Sequence, residues 1–197
     1  MKVIETLRAE LEPLNAAILT ALKPSRSALV KFVQNQLYIV PHDLKALSAA
    51  MAKARERDEY KLVKMLIDGD WAALNALYEL AEELGVSFSW DAVDPSAVAY
   101  THFLSWLALH GNVGDLAVAM TVNLPVWGRN CAALAEWARH NGVKNTRFMD
   151  LFAGPYDELD SIAEPIAQRY LDWGRYRFVA RAIQRYELDF WRAISQT

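Results

Sequence analysis

The chain has 197 residues, of which 53% are apolar and 23% charged, and its net charge is −3. It has only eight glycines and seven prolines, where average usage would give roughly 24 such residues. This scarcity disfavours an all-β fold, which needs a turn every 8–12 residues or so. The apolar content excludes a disordered chain, and the length suits a single domain over residues 1–197.

In the first half of the chain, apolar residues recur every three or four positions, which predicts amphipathic helices. The segments expected are a helix over residues 3–18 that ends near Pro24, a helix from Ser25 or Ser27 to about Arg55, a short pattern over residues 62–66, and a further helix that Asp70 caps and Gly85 ends.

The second half contains the most apolar part of the chain. Residues 97–109 and 113–139 are apolar nearly all round, so both segments are expected in the centre of a bundle. Two more helices are expected over residues 147–173 and 176–195. No alternating segment is longer than four residues, and the sequence therefore predicts an all-α bundle of about seven or eight helices.

Two prolines, Pro41 and Pro125, fall inside these helical patterns. Each lacks an N–H group and clashes with the carbonyl four residues earlier, so each is expected to kink its helix. Such a kink either opens a space between neighbouring helices or is ordinary helix curvature, and the sequence leaves both interpretations open.

Charge, cysteine content and apolar run lengths indicate a cytoplasmic protein that binds neither nucleic acid nor membranes. The acidic net charge does not attract phosphate backbones. The single cysteine, Cys131, excludes an internal disulfide and suits a reducing compartment. The N-terminus lacks the apolar core of a signal peptide. The longest apolar stretch, residues 116–127, is shorter than the roughly 20 residues that cross a bilayer.

Arginines are concentrated near the C-terminus. Arg177, Arg181 and Arg185 repeat every four residues, which places them on one helix face. A solvated or subunit-facing stripe is the expected role; nucleic-acid binding is the alternative, and no motif supports it.

The motifs of several common cofactor sites are missing. None of the four histidines follows a glutamate by three residues, and the sequence has no HExxH, glycine-rich phosphate loop or GxSxG elbow. No metal site and no cofactor are therefore expected.

Several motifs, in order along residues 31–191, resemble the TenA / thiaminase II family. The run 186–191 (YELDFW) resembles the family's closing YExxFW signature, and residues 125–127 (PVW) resemble its Pro-Cys-x-Trp element. Residues 99–101 (AYT) and 36–39 (QLYI) occupy the places of two further family helices.

The resemblance implies a heme-oxygenase-like helical bundle that forms a homodimer or homotetramer. It also implies a pocket between helices for an aminopyrimidine derived from thiamin. Family enzymes hydrolyse a C–N bond on that pyrimidine with a Cys nucleophile, an Asp, several Tyr and a C-terminal Glu, without heme or metal. The positions matched to the family's ligand-binding and catalytic residues are Gln36, Tyr38, Ile39, Tyr100, Trp127, Arg129, Phe152 and Glu187.

The chain departs from the family pattern at the nucleophile. The family's cysteine aligns with Pro125, its helix-2 Asp with Gln36 and the following Tyr with Ile39. Cys131 lies on a different side of the helix from the family's cysteine position, and a free cysteine in an apolar helix is usually a small buried hydrophobe. Gln36 still offers two hydrogen bonds to an amide-like edge, but it cannot become an anion.

Glu187 is the strongest candidate for chemistry. A carboxyl on an aromatic helix loses water contacts, and this raises its pKa toward the range useful for proton transfer. Alternatively it is a buried glutamate paired with Arg129 or with an arginine of its own helix. The aromatic candidates Tyr38, Tyr100, Trp127 and Phe152 form either flat walls for a planar ligand or ordinary core.

Three functions remain open from the sequence. The first is a thiamin-salvage hydrolase that acts on an aminopyrimidine or related amide, with Glu187 as acid/base and water as nucleophile. The second is a non-catalytic ligand-binding or regulatory homologue with a changed pocket. The third, a cofactorless oxidase related to the PqqC branch, rests on the fold alone.

Overall fold

The computed structural model describes residues 2–196, and within that range it contains nine α-helices, one 3-10 turn and no β-strand. The helices are α1 (Val3–Glu10), α2 (Glu12–Ala21), α3 (Arg26–Met51), α4 (Arg57–Leu84), α5 (Ala99–His110), α6 (Val113–His140), α7 (Arg147–Asp150), α8 (Asp157–Arg169) and α9 (Trp173–Ser195). The all-α class is confirmed. The helix number exceeds seven or eight because two of the expected helices are divided, while the two segments expected over residues 62–85 form one helix.

The first expected helix, residues 3–18, is two helices. The chain breaks at Leu11, between α1 and α2, and Pro13 occupies the first turn of α2. A proline in a first turn has no hydrogen bond to lose, whereas inside a continuous helix its ring would clash with the Ala9 carbonyl. The break at Leu11 avoids this clash.

Helix α4 corrects a second prediction. Asp70 was expected to cap a helix, but residues 57–84 form one continuous helix with Asp70 in its interior. The helix begins instead at a capping box formed by Glu56 and Glu59, and it ends at Gly85 in the left-handed conformation (φ 66°), as the sequence indicated. Asp70 is therefore a side chain on the helix face rather than an end cap.

Helices α5 and α6 follow the expected boundaries closely, and α6 is buried along most of its length. Asn112 and Asp115 form a capping box at the start of α6. The buried Asp115 carboxylate also accepts a hydrogen bond from Arg175 Nε at 2.8 Å, which joins α6 to α9. Pro41 and Pro125 both lie inside continuous helices, α3 and α6.

The helix expected over residues 147–173 is divided into α7 and α8, while α9 begins at Trp173. The break spans residues 151–156 and contains a cis Gly154–Pro155 bond. The Tyr156 hydroxyl donates to the Phe152 carbonyl and so closes this turn. The turn crosses α6 at Gly128, where a Cβ atom would collide with the Phe152 carbonyl.

The C-terminal arginines pair with carboxylates of other elements. Arg169 contacts Asp58 and Glu59, and Arg177 contacts Glu10, all within 2.8 Å. Arg181 and Arg185 are exposed. These pairs connect α9 and the end of α8 to α1 and α4.

Buried apolar side chains form two clusters. The first lies among α1, α5, α8, the end of α3 and the N-terminal parts of α4, α6 and α9. The second lies among α2, α7, most of α3 and the C-terminal parts of α4, α6 and α9. Tyr100 packs against both clusters, so α5 lies at the boundary between them. Across residues 2–196, no helix is both long enough and apolar enough to cross a membrane.

Candidate functional site

A cavity of about 310 Å³ lies between the two apolar clusters. This volume is at the lower end of the range for small-molecule sites, and it suits a ligand with one ring and a few substituents. The residues that line the cavity are Gln36, Ile39, Val40, Asp43, Leu47, Met65, Leu66, Gly69, Asp70, Ala72, Tyr100, Leu104, Met120, Asn123, Leu124, Trp127, Leu151, Phe152, Pro155, Tyr156, Glu158, Leu159, Glu187 and Phe190.

Most of the site residues expected from the sequence meet in this cavity. Six helices, α3, α4, α5, α6, α8 and α9, and the turn at residues 151–156 contribute to its wall. The expected site residues found there are Gln36, Ile39, Tyr100, Trp127, Phe152 and Glu187.

Two expected residues, Tyr38 and Arg129, do not line the cavity. The Tyr38 hydroxyl is 2.9 Å from His102 Nε2, and its ring stacks on His42 at a centroid distance of 4.1 Å. Arg129 is exposed on α6. Residues 36 and 39 face the cavity while residue 38 points about 100–200° away, as the helical period requires.

Glu187 is held in the cavity wall by two side-chain donors. It lies on α9 with only 2% of its surface exposed. Asn123 Nδ2 donates to Oε2, and Trp191 Nε1 donates to Oε1 at 3.1 Å. Asn123 also donates to Gln184 at 3.0 Å, which fixes the amide orientation. Both carboxyl oxygens therefore have defined positions.

Burial raises the pKa of Glu187 to about 8, and the hydrogen bonds from Trp191 and Asn123 oppose this effect only in part. The alternative in which Glu187 pairs with an arginine is wrong, because Arg129 is exposed and no arginine contacts the Glu187 carboxyl in residues 2–196. Near neutral pH the side chain carries its proton and is ready to donate it.

Aromatic rings form the end of the cavity near Glu187. Trp127 packs edge-on against Phe152 at 5.9 Å and against Phe190 at 5.3 Å. On its other side it stacks on Phe32 at 5.7 Å, with only 14° between the ring planes. Trp127 thus lines the cavity and also packs in the core. The sequence left open whether this ring is a cavity wall or ordinary core, and it is both.

The sequence interpretation missed three acidic residues in the cavity wall, of which Glu158 is exposed and pairs with Lys61. Asp43 on α3 is 6% exposed and accepts a hydrogen bond from the Thr101 hydroxyl. Asp70 on α4 is half-buried. The signal for Asp43 was present in the spacing, since Gln36, Ile39 and Asp43 recur on one helix face. Asp70 was missed because it was assigned to a helix end.

Asp43 and Asp70 disfavour each other's charge. Burial raises the pKa of Asp70 to about 7, and burial together with the nearby Asp70 raises the pKa of Asp43 well above its usual value. Replacing Asp70 by asparagine is therefore expected to raise the free energy of unfolding at pH 8 by about 1–2 kcal/mol. The gain is full above pH about 7 and disappears as the pH falls toward 4, where aspartate is protonated in the unfolded chain as well.

Denaturant unfolding at several pH values measures this effect. Asp68→Asn is the matched control, since Asp68 lies two residues away on α4 and pairs with Lys64 at the surface. That variant is expected to change stability by less than about 0.5 kcal/mol. A loss of stability in Asp70→Asn at pH 8 would show that the carboxylate stabilises the fold.

Cys131 lies outside the cavity wall. It is completely buried in the second apolar cluster, and burial raises the pKa of its thiol well above the usual value. A thiol in such surroundings stays protonated and out of contact with cavity contents.

This placement predicts a kinetic result for Cys131. In the native protein, an aromatic disulfide reagent is expected to react with the thiol at least about 100-fold more slowly than in guanidinium-unfolded chain. A Cys131→Ala variant, which has no thiol, measures the background signal of the reagent. Rapid stoichiometric labelling of native protein would place the thiol within reach of the cavity or the surface.

A scan against family models matches residues 23–197 to the TENA/THI-4/PQQC family. The chain belongs to this family. The match covers all of the cavity-lining residues, and it agrees with the resemblance indicated by the YExxFW run and the elements before it. A search of curated proteins finds no significant match.

Solved structures of TenA relatives share the fold. A TenA homologue from Pyrococcus furiosus superposes with a TM-score of 0.74 at 20% identity, covering 98% of both chains. A TenA family transcription regulator from Silicibacter sp. TM1040 gives 0.74 at 17%, covering 98% of this chain and 96% of that one. A TenA homologue from P. horikoshii OT3 gives 0.66 at 21%, covering 98% of both. The heme-oxygenase-like all-α fold is thereby established.

Proposed function

We propose that the cavity binds a small planar, aminopyrimidine-like molecule and hydrolyses a C–N bond on it, with Glu187 as the acid/base. One observation carries this proposal. Glu187 presents a buried carboxyl with a pKa of about 8 beside the aromatic rings of a cavity of suitable size. An acid whose pKa lies near the working pH is suited to proton transfer.

The proposed reaction uses water as the nucleophile. Water attacks the carbon of the C–N bond, and the carbon–nitrogen bond breaks as protonated Glu187 gives its proton to the leaving nitrogen. The attacking water then loses a proton, which returns to the Glu187 carboxylate. The products are the hydroxylated ligand and a free amine, or an acid and an amine when the substrate is an amide.

Asn123 and Trp191 are positioning residues in this scheme. Their donors hold the two oxygens of Glu187, so the acidic proton can take only a few orientations. Trp127, Phe152 and Phe190 offer ring faces and edges against which a planar ligand packs. The exclusion of water by these rings strengthens each polar contact in the cavity.

Direct turnover tests the proposal. Purified protein is incubated with an amino-substituted and a formylamino-substituted aminopyrimidine, and the released pyrimidine product is quantified by chromatography. We expect enzyme-dependent release of product from at least one of them. Binding of both compounds without any release contradicts the hydrolase assignment, and absence of binding contradicts the ligand class as well.

The placement of Cys131 favours one alternative. With no cysteine in its wall, the cavity also fits a non-catalytic, ligand-binding member of the family, and one similar solved structure is described as a transcription regulator. In that case a small aromatic ligand would raise the melting temperature by mass action and would be recovered unchanged. The cytoplasmic location and the homodimer or homotetramer implied by the resemblance stay predictions.

A further inference from the structure

The cavity reaches the solvent between α4 and the start of α8. Among the described residues that line it, four are exposed: Gly69, Leu151, Pro155 and Glu158. Gly69 lies on α4, whereas the other three lie in the turn at residues 151–156 and in the first turn of α8. Because α4 packs against both α7 and α8, which flank this turn, the four exposed residues border one opening, which we call the mouth.

Ion pairs and packing hold both sides of the mouth in place. The Lys61 ammonium on α4 lies 2.8 Å from the Glu158 carboxylate on α8, and this pair joins the two sides at the rim. Arg169, at the end of α8, pairs with Asp58 at 2.8 Å and with Glu59 at 2.7 Å near the start of α4. The turn between α7 and α8 packs closely against α6. The mouth is therefore a fixed opening between packed elements.

Gly69 lies at the centre of the α4 face that borders the cavity. At about 100° per residue, the α4 residues of the cavity wall follow one another around the helix in the order Ala72, Met65, Gly69, Leu66, Asp70. A side chain at position 69 would therefore point into the mouth. Apart from its own helix backbone and its chain neighbours, no described atom lies within 4 Å of a Cβ atom built there. The space in front of Gly69 is open because glycine has no side chain to fill it.

Within the described structure, neither the backbone nor the packing of α4 requires a glycine at this position. Gly69 lies in the interior of a continuous helix and does not use the positive φ that Gly85 adopts at the helix end. No neighbouring element approaches it as the turn approaches Gly128. A glycine inside a helix lowers stability relative to alanine. This cost falls where α4 faces the mouth, and a requirement for open space there explains it.

We propose that ligands enter and leave the cavity through the mouth, and that the missing side chain of Gly69 sets the size of the molecule that passes. This deepens the proposed function and rests on it only in taking the cavity as the ligand site. A larger side chain at position 69 narrows the opening from the α4 side toward Leu151 and Pro155. Association and dissociation of a ligand then slow together. Because the dissociation constant is the ratio of the two rate constants, affinity changes little.

A thiol placed inside the cavity measures passage through the mouth without any ligand. Met120 lines the cavity and is 3% exposed, so Met120→Cys in a Cys131→Ala background carries a single thiol on the cavity wall. Its reaction with methyl methanethiosulfonate, followed by mass spectrometry, is expected to be at least about tenfold faster than that of Cys131 in the unchanged protein. Cys131 is the matched control, because it is also buried but does not line the cavity.

Substitutions on α4 in this thiol protein test the role of Gly69. Gly69→Leu is expected to slow labelling at least about tenfold, and to slow the bulkier benzyl methanethiosulfonate more than the methyl reagent. Gly69→Ala adds one methyl group and is expected to slow labelling by less than about threefold. Alanine favours a helix at least as strongly as leucine, so labelling through unfolding would slow equally in both variants. Asp68→Leu adds the same bulk about 100° around the helix, at the surface, and should leave the rate within about twofold.

Three outcomes overturn the inference: a cavity thiol that reacts no faster than Cys131, a rate that Gly69→Leu leaves unchanged, and a rate that Gly69→Leu lowers no more than Gly69→Ala does. Thermal unfolding shows which variants are folded before rates are compared. If Met120→Cys does not fold, Leu104→Cys supplies the cavity thiol, since Leu104 lines the cavity and is 1% exposed. If Gly69→Leu does not fold, Gly69→Met replaces it with the same expectation.

The labelling result and the proposed function fail separately, because labelling uses no substrate. Labelling that depends on residue 69, together with no release of product from either aminopyrimidine, supports the mouth and contradicts the hydrolase. Release of product, together with labelling that is insensitive to residue 69, leaves the hydrolase intact and removes the mouth.

Discussion

Replacing Glu187 by glutamine is expected to lower the turnover of an aminopyrimidine substrate by at least about 100-fold at pH 7. Glutamine has the same shape and keeps one oxygen as an acceptor for Asn123 or Trp191. It has no acidic proton, so the leaving nitrogen departs without protonation. Because the proposed binding uses the aromatic walls, KM should change by less than about threefold while kcat falls.

Glu136→Gln is the matched control. Glu136 is exposed on α6 and does not line the cavity, so this substitution makes the same chemical change away from the cavity. It is expected to keep full activity. Thermal unfolding confirms that both variants are folded before kinetics are compared. Equal turnover by Glu187→Gln and the unchanged protein would remove Glu187 from the reaction.

The second large effect is expected at Gly128. Gly128 lies within α6, where its missing side chain admits the turn at residues 151–156. A Cβ atom here would collide with the Phe152 carbonyl oxygen and the Tyr156 hydroxyl, and it would lie 3.1 Å from the Phe152 carbonyl carbon. A backbone group cannot yield as the end of a flexible side chain can. We therefore expect Gly128→Ala to lower the free energy of unfolding by about 3 kcal/mol.

The same change at Gly69 provides the control. Gly69 lies inside α4 with nothing within 4 Å of an added Cβ atom, so Gly69→Ala should stabilise the protein by about 0.5–1 kcal/mol. Denaturant unfolding measures both variants. Because Phe152 is part of the displaced turn, Gly128→Ala should also weaken the binding of aromatic ligands. A stability change below about 1 kcal/mol at Gly128 would contradict the close packing of the turn on α6.

Helical periodicity sufficed for most of the fold. The boundaries of α3, α5 and α6 follow from apolar spacing, the Ser25 cap and the breaks near Gly111, because these signals are local. The breaks at Leu11 and in residues 151–156 lie beside prolines, and a proline at these positions is compatible with either one kinked helix or two helices. Packing against α6 and α8 determines which of the two forms, and local sequence does not show that packing.

The sequence placed candidate residues on α3, α5, α6 and α9, but it missed Asp43 on α3 and the cavity-lining residues of α4 and α8. Family motifs point to Gln36, Tyr100, Trp127 and Glu187, and these positions all line the cavity. Asp70 looked like a cap because aspartate favours helix starts, and only the continuous helix shows it facing the cavity. The packing of α3 on α4 determines which carboxyl groups line the same cavity. A local sequence pattern does not show how two helices pack, so it could not predict this.

The pH dependence of kcat/KM tests the role of Glu187 most directly. The substrate should be a formylamino-pyrimidine, because its amide does not ionise near neutral pH. The pKa of about 8 requires activity to fall as pH rises through 8, since Glu187 must hold its proton to donate it. We expect this basic limb in the unchanged protein and its loss from the residual activity of Glu187→Gln. A profile that is level through pH 8, or a limb that persists in the variant, would contradict Glu187 as the proton donor.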